Sequence, residues 1–483
     1  MRPPSLSALF GFTVGLAVAC VEEQPNPEHC SSQQGNVACS ERFPDGDRPY
    51  CAMLSCTNEP WGCVAEPPSD ESCYSPCGEG ASASENSSCL GTADEETGTT
   101  SDTEGGSECA ADEDCGSQVP FCVEGICVGC EDAPDPDAAC AGMSNGALPV
   151  CEAGVCVQCT SEASEACIEL MPVCDIATST CTGCDFHSQC PGSACRVLDG
   201  SCLPDDRVWH VDADGGQDFL SIGQALLQIN TGESGTLIVH EQSGGAAYQE
   251  ALAIADGRVV ALLAAPGERP FLANDVGTTL RVEAEAEVFT RGILVAGIEP
   301  IRVEGATLVL DETEVQGSVS AGVQLSADAR LIARNTILLS SGSDNFFGPA
   351  LTADMSRFEL VYSTVIGRLS NLAVLCTMGT AGSFLRNSLI GSEGAEAAID
   401  CAEITLLNNA LEDAAMYPGN VTVGELQPQW FVGGTNYRLS AEAPTEIATA
   451  AIRQEGDPLA DIDGELRPEV GEPDYAGADR IGR

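Results

Sequence analysis

Thiols dominate the chemistry that this chain could perform. Of its 27 cysteines, 25 lie between Cys20 and Cys202. From Cys109 onward they recur in sets of four: Cys109, Cys115, Cys122 and Cys127; Cys130, Cys140, Cys151 and Cys156; Cys159, Cys167, Cys174 and Cys181; Cys184, Cys190, Cys195 and Cys202. Two residues separate each set from the next, so every boundary reads Cys-x-x-Cys (ICVGC, VCVQC, TCTGC). Such a pair is a ligand knuckle for tetrahedral thiolate zinc, and tandem disulfide-bonded units leave the same pattern at their junctions. The density of cysteine favours disulfides formed in an oxidising compartment, as does the even count of 24 from Cys30 to Cys202. Units this small cannot be stabilised by burial alone, so bridges would do the structural work. Four cysteines permit three pairings, and spacing does not choose among them.

Oxygen and nitrogen ligands are sparser. Asp212 with Asp214, and Asp461 with Asp463 before Gly464, form Asp-x-Asp pairs that could hold calcium. Neither completes a calcium-binding loop, which needs further oxygens and a closing Glu, and turn capping by the same carboxylates is the alternative. His210 and His240 fall in strand-like segments where a structural role is expected. The chain carries 74 acidic residues against 20 basic ones, every basic residue being Arg, for a formal charge of -54. That charge argues against nucleic acid or an anionic membrane face as partner. It suits a well-solvated extracellular surface or one that attracts cations.

The elements that carry these groups begin with an export segment. Residues 1–19 hold Arg2, an apolar stretch from Ser5, and then Ala17, Val18 and Ala19 before Cys20. This is a secretory signal, too short to span a membrane. LAVAC resembles the lipobox of bacterial lipoproteins, which implies cleavage before Cys20 and lipidation of its thiol. Leu16 stands four positions before the Cys where that family places Leu three before, so an ordinary signal peptide with Cys20 in a disulfide is the alternative. Val21 follows the Cys instead of Asp, so the resemblance implies outer-membrane or surface placement. A cysteine-rich segment fills 20–77, an acidic Gly/Ser/Thr linker 78–107, and the four-unit disulfide-rich repeat 108–204. The spacing of that repeat resembles short Cys-rich repeats of secreted bacterial proteins.

From residue 205 to 483 the composition changes, with Cys376 and Cys401 the only thiols left. The segments LVLDETEV, LIARNTIL, LVYSTVI, FLRNSLI and LLNNALE align so that Glu312, Asn335, Ser363, Asn387 and Asn408 share one column, with Thr313, Thr336, Thr364, Ser388 and Asn409 in the next. Separations within the first column are 23, 28, 24 and 21 residues, and FTRGILV precedes with Arg291 in register. A period of that size marks a strand solenoid whose coils stack at about 4.8 Å. Polar side chains recurring at one coil position can bond along a ladder while Ile, Val and Leu fill the interior. Cys376 and Cys401 lie 25 residues apart, about one coil, and are expected to bridge adjacent turns, a buried free pair being the alternative.

The opening DGGQDFLSIGQAL, the YQEAL at Tyr248 to Leu252 and the coil pattern are similar to right-handed parallel β-helix proteins of the pectin-lyase-like superfamily. The closing DIDGELRPEVGEPDYAGADR resembles a tail common in bacterial proteins of that class. The resemblance covers roughly Arg207 to Arg480 and implies an all-β fold: a right-handed parallel β-helix solenoid preceded by a small, loop-dominated disulfide-rich region. The acid motifs of the hydrolase relatives, the calcium cluster with a basic residue of the lyases and the Asp pair of the esterases are not found, and no catalytic residue is assigned. The sequence therefore points to an exported, lipid-anchored surface protein that binds polysaccharide or another surface protein without a cofactor. A divergent polysaccharide lyase or hydrolase, and a purely structural envelope protein, are the alternatives.

Overall fold

The computed structural model describes residues 146–481 apart from 169, 341–347, 370, 395–397 and 434–435, together with 115, 121–123, 126–133 and 135–144 and, upstream, 39, 50, 51, 63 and 64. The export segment 1–19, Cys20 and the linker 78–107 lie outside the described residues. The chain divides into two compact units, 1–104 and 105–483. In the first, Tyr50–Cys51 pairs antiparallel with Cys63–Val64, and Cys39 is bridged to Cys63.

In the second unit each cysteine set folds around one short hairpin. The third and fourth cysteines of a set face each other across it: Cys122 opposite Cys127, Cys151 opposite Cys156, Cys174 opposite Cys181, Cys195 opposite Cys202. In the last three sets the first and second cysteines reach up to that pair. Cys130–Cys151, Cys140–Cys156, Cys159–Cys174, Cys167–Cys181, Cys184–Cys195 and Cys190–Cys202 are bridged, so three sets close first to third and second to fourth. In the remaining set Cys115 is bridged to Cys127, the same second-to-fourth link. A hairpin this short presents two thiols side by side, and each can be crosslinked only from its own flank. Disulfides at this density place the folded chain in an oxidising environment. Among the described residues no helix is long and apolar enough to cross a membrane.

The rest is a parallel β-solenoid of about eight turns. Among the described residues the first sheet stacks nine strands, from Val208–Val211 through Thr307–Asp311 and Arg330–Arg334 to Ile404–Leu407. A second ladder runs from Ala247–Gln249 through Glu314–Gly317 and Ile337–Leu339 to Val421–Thr422, and a third from Leu252–Ile254 through Val323–Ser326 to Ile399–Asp400. The long strands Phe271–Glu283 and Leu294–Glu304 serve both ladders and join them into one sheet. Alternate side chains such as Leu308, Leu310, Val315 and Val323 fill the interior.

First-sheet strands read as apolar runs (VFT, LVL, LIA) because their outer face is also covered. Ala194 and Leu203 of the fourth disulfide unit pack on Ala261, Leu263, Phe289, Val309 and Ile332. Arg196 clamps that junction, its Nε and Nη2 donating to the Glu287 carboxylate at 2.7 and 2.8 Å. A tail from about residue 425 lies over the outer side of the lower second ladder, where Trp430, Phe431, Tyr437 and Ile447 bury Ile337, Leu339, Ile366 and Leu389. Between the ends of these two covers, part of the second ladder's outer face stays open.

Candidate functional site

The polar columns expected of the coils exist, with a change of register. Strand pairing aligns Gly292, Glu312, Asn335, Tyr362, Asn387 and Asn408, each directly after the residues paired in the first sheet. All six have positive φ, between 47° and 71°. Ser363 therefore stands with Thr313, Thr336, Ser388 and Asn409, and Thr364 one column farther, beside Ile337 and Leu389. Gly292 replaces Arg291 in the same way. The like chemistry of Ser-Thr and Asn-Thr invites the shifted alignment. Tyr362 takes a left-handed position that costs a bulky residue about 1–2 kcal/mol, and a guanidinium, that of Arg467, lies 3.7 Å over its ring.

The columns also differ in what they bond. Asn335 and Asn387 do not ladder with each other but hold the tail. Asn335 Nδ2 donates to Ala460 O at 2.7 Å and its Oδ1 accepts from Arg467 at 2.9 Å. Asn387 donates to Ile452 O and accepts from Ile452 N. The Asn408 amide N–H donates to Gly419 O. The coil-to-coil ladder runs in the next column: Ser363 N to Ser388 Oγ at 3.1 Å, Ser388 N to Asn409 Oδ1 at 2.8 Å, Asn409 N to Asn420 Oδ1 at 2.9 Å. Thr336 donates to Leu310 O on the preceding coil, and Thr364 Oγ1 accepts from Ala478 N of the tail.

The carboxylates considered for calcium are engaged in turns. Asp212 accepts from Asp214 N, and Asp214 from Ser243 N and Oγ. Asp461 accepts from three backbone amides, those of Asp463, Glu465 and Arg480, and Asp463 pairs with Arg438 at 3.0 Å. Cys376 and Cys401 form a bridge between neighbouring coils, Cα to Cα 4.8 Å. His210 and His240 form a row with a residue that spacing did not suggest: His210 Nδ1 lies 3.1 Å from His240 Nε2, and His240 Nδ1 lies 3.2 Å from Glu268.

Glu268, Gly292 and Glu312 border a hollow of about 430 Å³ beside His187, and the open part of the second ladder forms a larger groove along a row of rungs. Gln249, Ala273, Ala296 and Gln316 stand on successive rungs with outward side chains. Three steps of about 4.8 Å carry this row roughly 14 Å along the solenoid axis. Half-buried Phe271 lies beside it, and the whole forms a groove of about 510 Å³. One wall is a bulge in the strand Phe271–Glu283 between Asn274 and Thr278, which turns Asp275 and Val276 outward. Asn274 holds that bulge, accepting from Val276 N and donating to Thr278 O. The opposite wall is Arg368, whose backbone N–H donates to Ser340 Oγ and whose guanidinium lies 6.0 Å from the Tyr437 ring. Tyr437 in turn donates to Glu393 at 3.0 Å, and burial holds its phenol neutral far above the usual range. Backbone at Gly297 and Gly317 forms the floor. A Cβ on Gly297 would fall 2.6 Å from Thr279 Oγ1 and 2.7 Å from Asn274 O, so the groove depends on its absence.

Two amides, one hydroxyl (Ser318), one carboxylate and one guanidinium beside an apolar ring can bind a polar ligand that also has apolar faces. Asp275 is the only carboxylate among the described groove residues, so the paired acids of glycoside hydrolysis are not assembled there. Of the groove, sequence reasoning found only the coil period. The Gly in VAGI and VQGS, 20 residues apart, was the signal that could have located its floor.

Comparison with known proteins adds little chemistry. Residues 95–208, which include all four cysteine sets, match a family of unknown function, DUF8331. No curated protein matches. Among solved structures, the crystal structure of pectate lyase Pel9A is similar at 12% identity and a TM-score of 0.30, the alignment covering 57% of this chain and 96% of that one. A likeness of that order carries no argument about activity.

Proposed function

We propose that this chain is an exported, lipid-anchored surface protein whose solenoid flank binds polysaccharide in the open groove of the second ladder. The observation that carries this reading is the row Gln249, Ala273, Ala296 and Gln316, which sets one amide at each end and two small side chains between them, beside Phe271 and Arg368. A polymer of sugars presents hydroxyls and apolar ring faces in regular alternation, which such a row can meet. Export is supported by the disulfides, and the anchor by the cysteine at position 20 after small residues. The groove's single carboxylate supports binding over turnover.

A glycan array probed with the mature chain tests the reading. At least one polysaccharide should bind, and Gln249→Ala with Arg368→Ala should weaken it by at least about tenfold. Absence of any glycan binding would leave an envelope-structural role, and release of reducing or unsaturated sugar would make the chain an enzyme. For the anchor, a fatty-acid analogue should label the wild type and not Cys20→Ala.

A further inference from the structure

We propose that the third disulfide unit is a docking site for a basic, amphipathic protein segment. This site is independent of the groove. A tight turn, closed by Met171 N donating to Ile168 O at 2.9 Å, pushes three large aliphatic side chains into solvent: Ile168 and Leu170 are 69% exposed and Met171 52%. The disulfide-bonded unit has no core of its own to receive them, and they stand together at the edge of a hollow of about 230 Å³ floored by Ala147, Pro149 and Ala166. Ile168 also borders a second hollow of about 460 Å³ that contains Glu165, Pro172, Pro191 and Leu203. Apolar side chains grouped on the surface of a soluble chain mark contact sites, whereas single ones do not.

Charge selects the occupant. The sequence contains no Lys or Arg between Arg48 and Arg196, so the patch lies within 147 consecutive residues free of both (49 through 195). On the solenoid several acids meet an Arg, as Glu287, Glu312 and Glu359 do, but Glu165, which lines the second hollow, and Glu162, three residues before it, form no ion pair among the described residues. An apolar patch rimmed by unneutralised carboxylates complements a helix or strand with an apolar face and a Lys/Arg face. The same charge repels an anionic lipid surface.

The test uses the mature, fully bridged chain and three synthetic peptides of about four helical turns. One carries Lys and Leu on opposite faces, one has Glu in place of Lys, and one has Ser in place of Leu. The Lys/Leu peptide should bind, the other two should not, and the triple variant Ile168→Ser/Leu170→Ser/Met171→Ser should weaken binding by at least about tenfold. Leu227→Ser, at an exposed leucine of the solenoid, should leave it unchanged. These residues are exposed, so the variants keep their fold, which the count of free thiols verifies. Equal binding by the triple variant, or equal binding of the Lys/Ser peptide, overturns the proposal by reducing the contact to general acidity. Concentration-dependent dimerisation of the chain that the triple variant abolishes would assign the patch to a second copy, and partition of the chain onto zwitterionic vesicles through the patch would assign it to lipid. Either result overturns it as well.

Discussion

His187 is a buried imidazole at the junction between the fourth disulfide unit and the solenoid, and acid should weaken that junction through it. The ring is 4% exposed, meets Phe289 edge-on with centroids 6.4 Å apart, and its Nδ1 has no hydrogen-bond partner among the described residues. Burial first, and then the nearby Arg291 and Arg334, push its pKa down from 6.5 to about 3. The docked state thus holds the ring neutral where the undocked state takes up a proton. Stability is complete above about pH 6.5, where both states are neutral, and is lost progressively as pH falls toward 3. The loss is about 3 kcal/mol at pH 4.5 and about 5 kcal/mol below pH 3, at 1.36 kcal/mol per pKa unit. His187→Leu keeps the apolar contact with Phe289 and removes the titration. Urea unfolding of both proteins at pH 7.5 and 4.5, with disulfides intact, should show the wild type losing about 3 kcal/mol more than the variant. Parallel losses in the two proteins would refute the reasoning. So would an imidazole resonance of His187 that titrates near 6.5 in the folded chain.

Three further outcomes follow from the packing. Arg467 and Asp474 are both fully buried and 3.0 Å apart, with Arg480 the second partner of that carboxylate at 2.9 Å; Arg467→Ala halves the pairing of Asp474 and removes the bonds to Asn335 Oδ1 and Gly477 O, and should cost about 3 kcal/mol, read as a lower melting temperature and new proteolytic cleavage in the tail after residue 425; an unchanged cleavage pattern would contradict its role as the tail's anchor. Asn409→Ala removes the acceptor for Ser388 N and the donors to Leu385 O and Asn420 Oδ1 inside the coil stack, and should destabilise the last coils by about 2–4 kcal/mol, seen as faster amide exchange there than at Leu308. Cys376→Ala with Cys401→Ala opens a bridge of sequence separation 25 and should cost about 3 kcal/mol by chain entropy; a denaturation midpoint equal to wild type would show that the coils hold that register without it.

The coil period was legible because stacking demands it. A strand can join a parallel ladder only if each turn returns it to the same height, so apolar residues and turn residues must recur at nearly constant spacing, and the Asn, Ser and Thr columns recorded that repetition. The cysteine sets were legible for a similar reason, since each is one covalently closed unit. The pairing inside a set was not, because it depends on which flank of the hairpin each earlier cysteine approaches. Tyr362 defeated the alignment because a ring in a left-handed position is tolerable only under Arg467, a residue 105 positions later in the chain. Beyond its glycine floor, the openness of the groove was out of reach, as was the exposed turn at Ile168. A strand's alternation states that one face points outward, but whether that face is then covered by the fourth disulfide unit, covered by the tail or left to solvent is settled by contacts between segments far apart in sequence. Local patterning is a property of neighbouring residues and survives in the sequence, whereas exposure belongs to pairs of surfaces and exists only once both have folded.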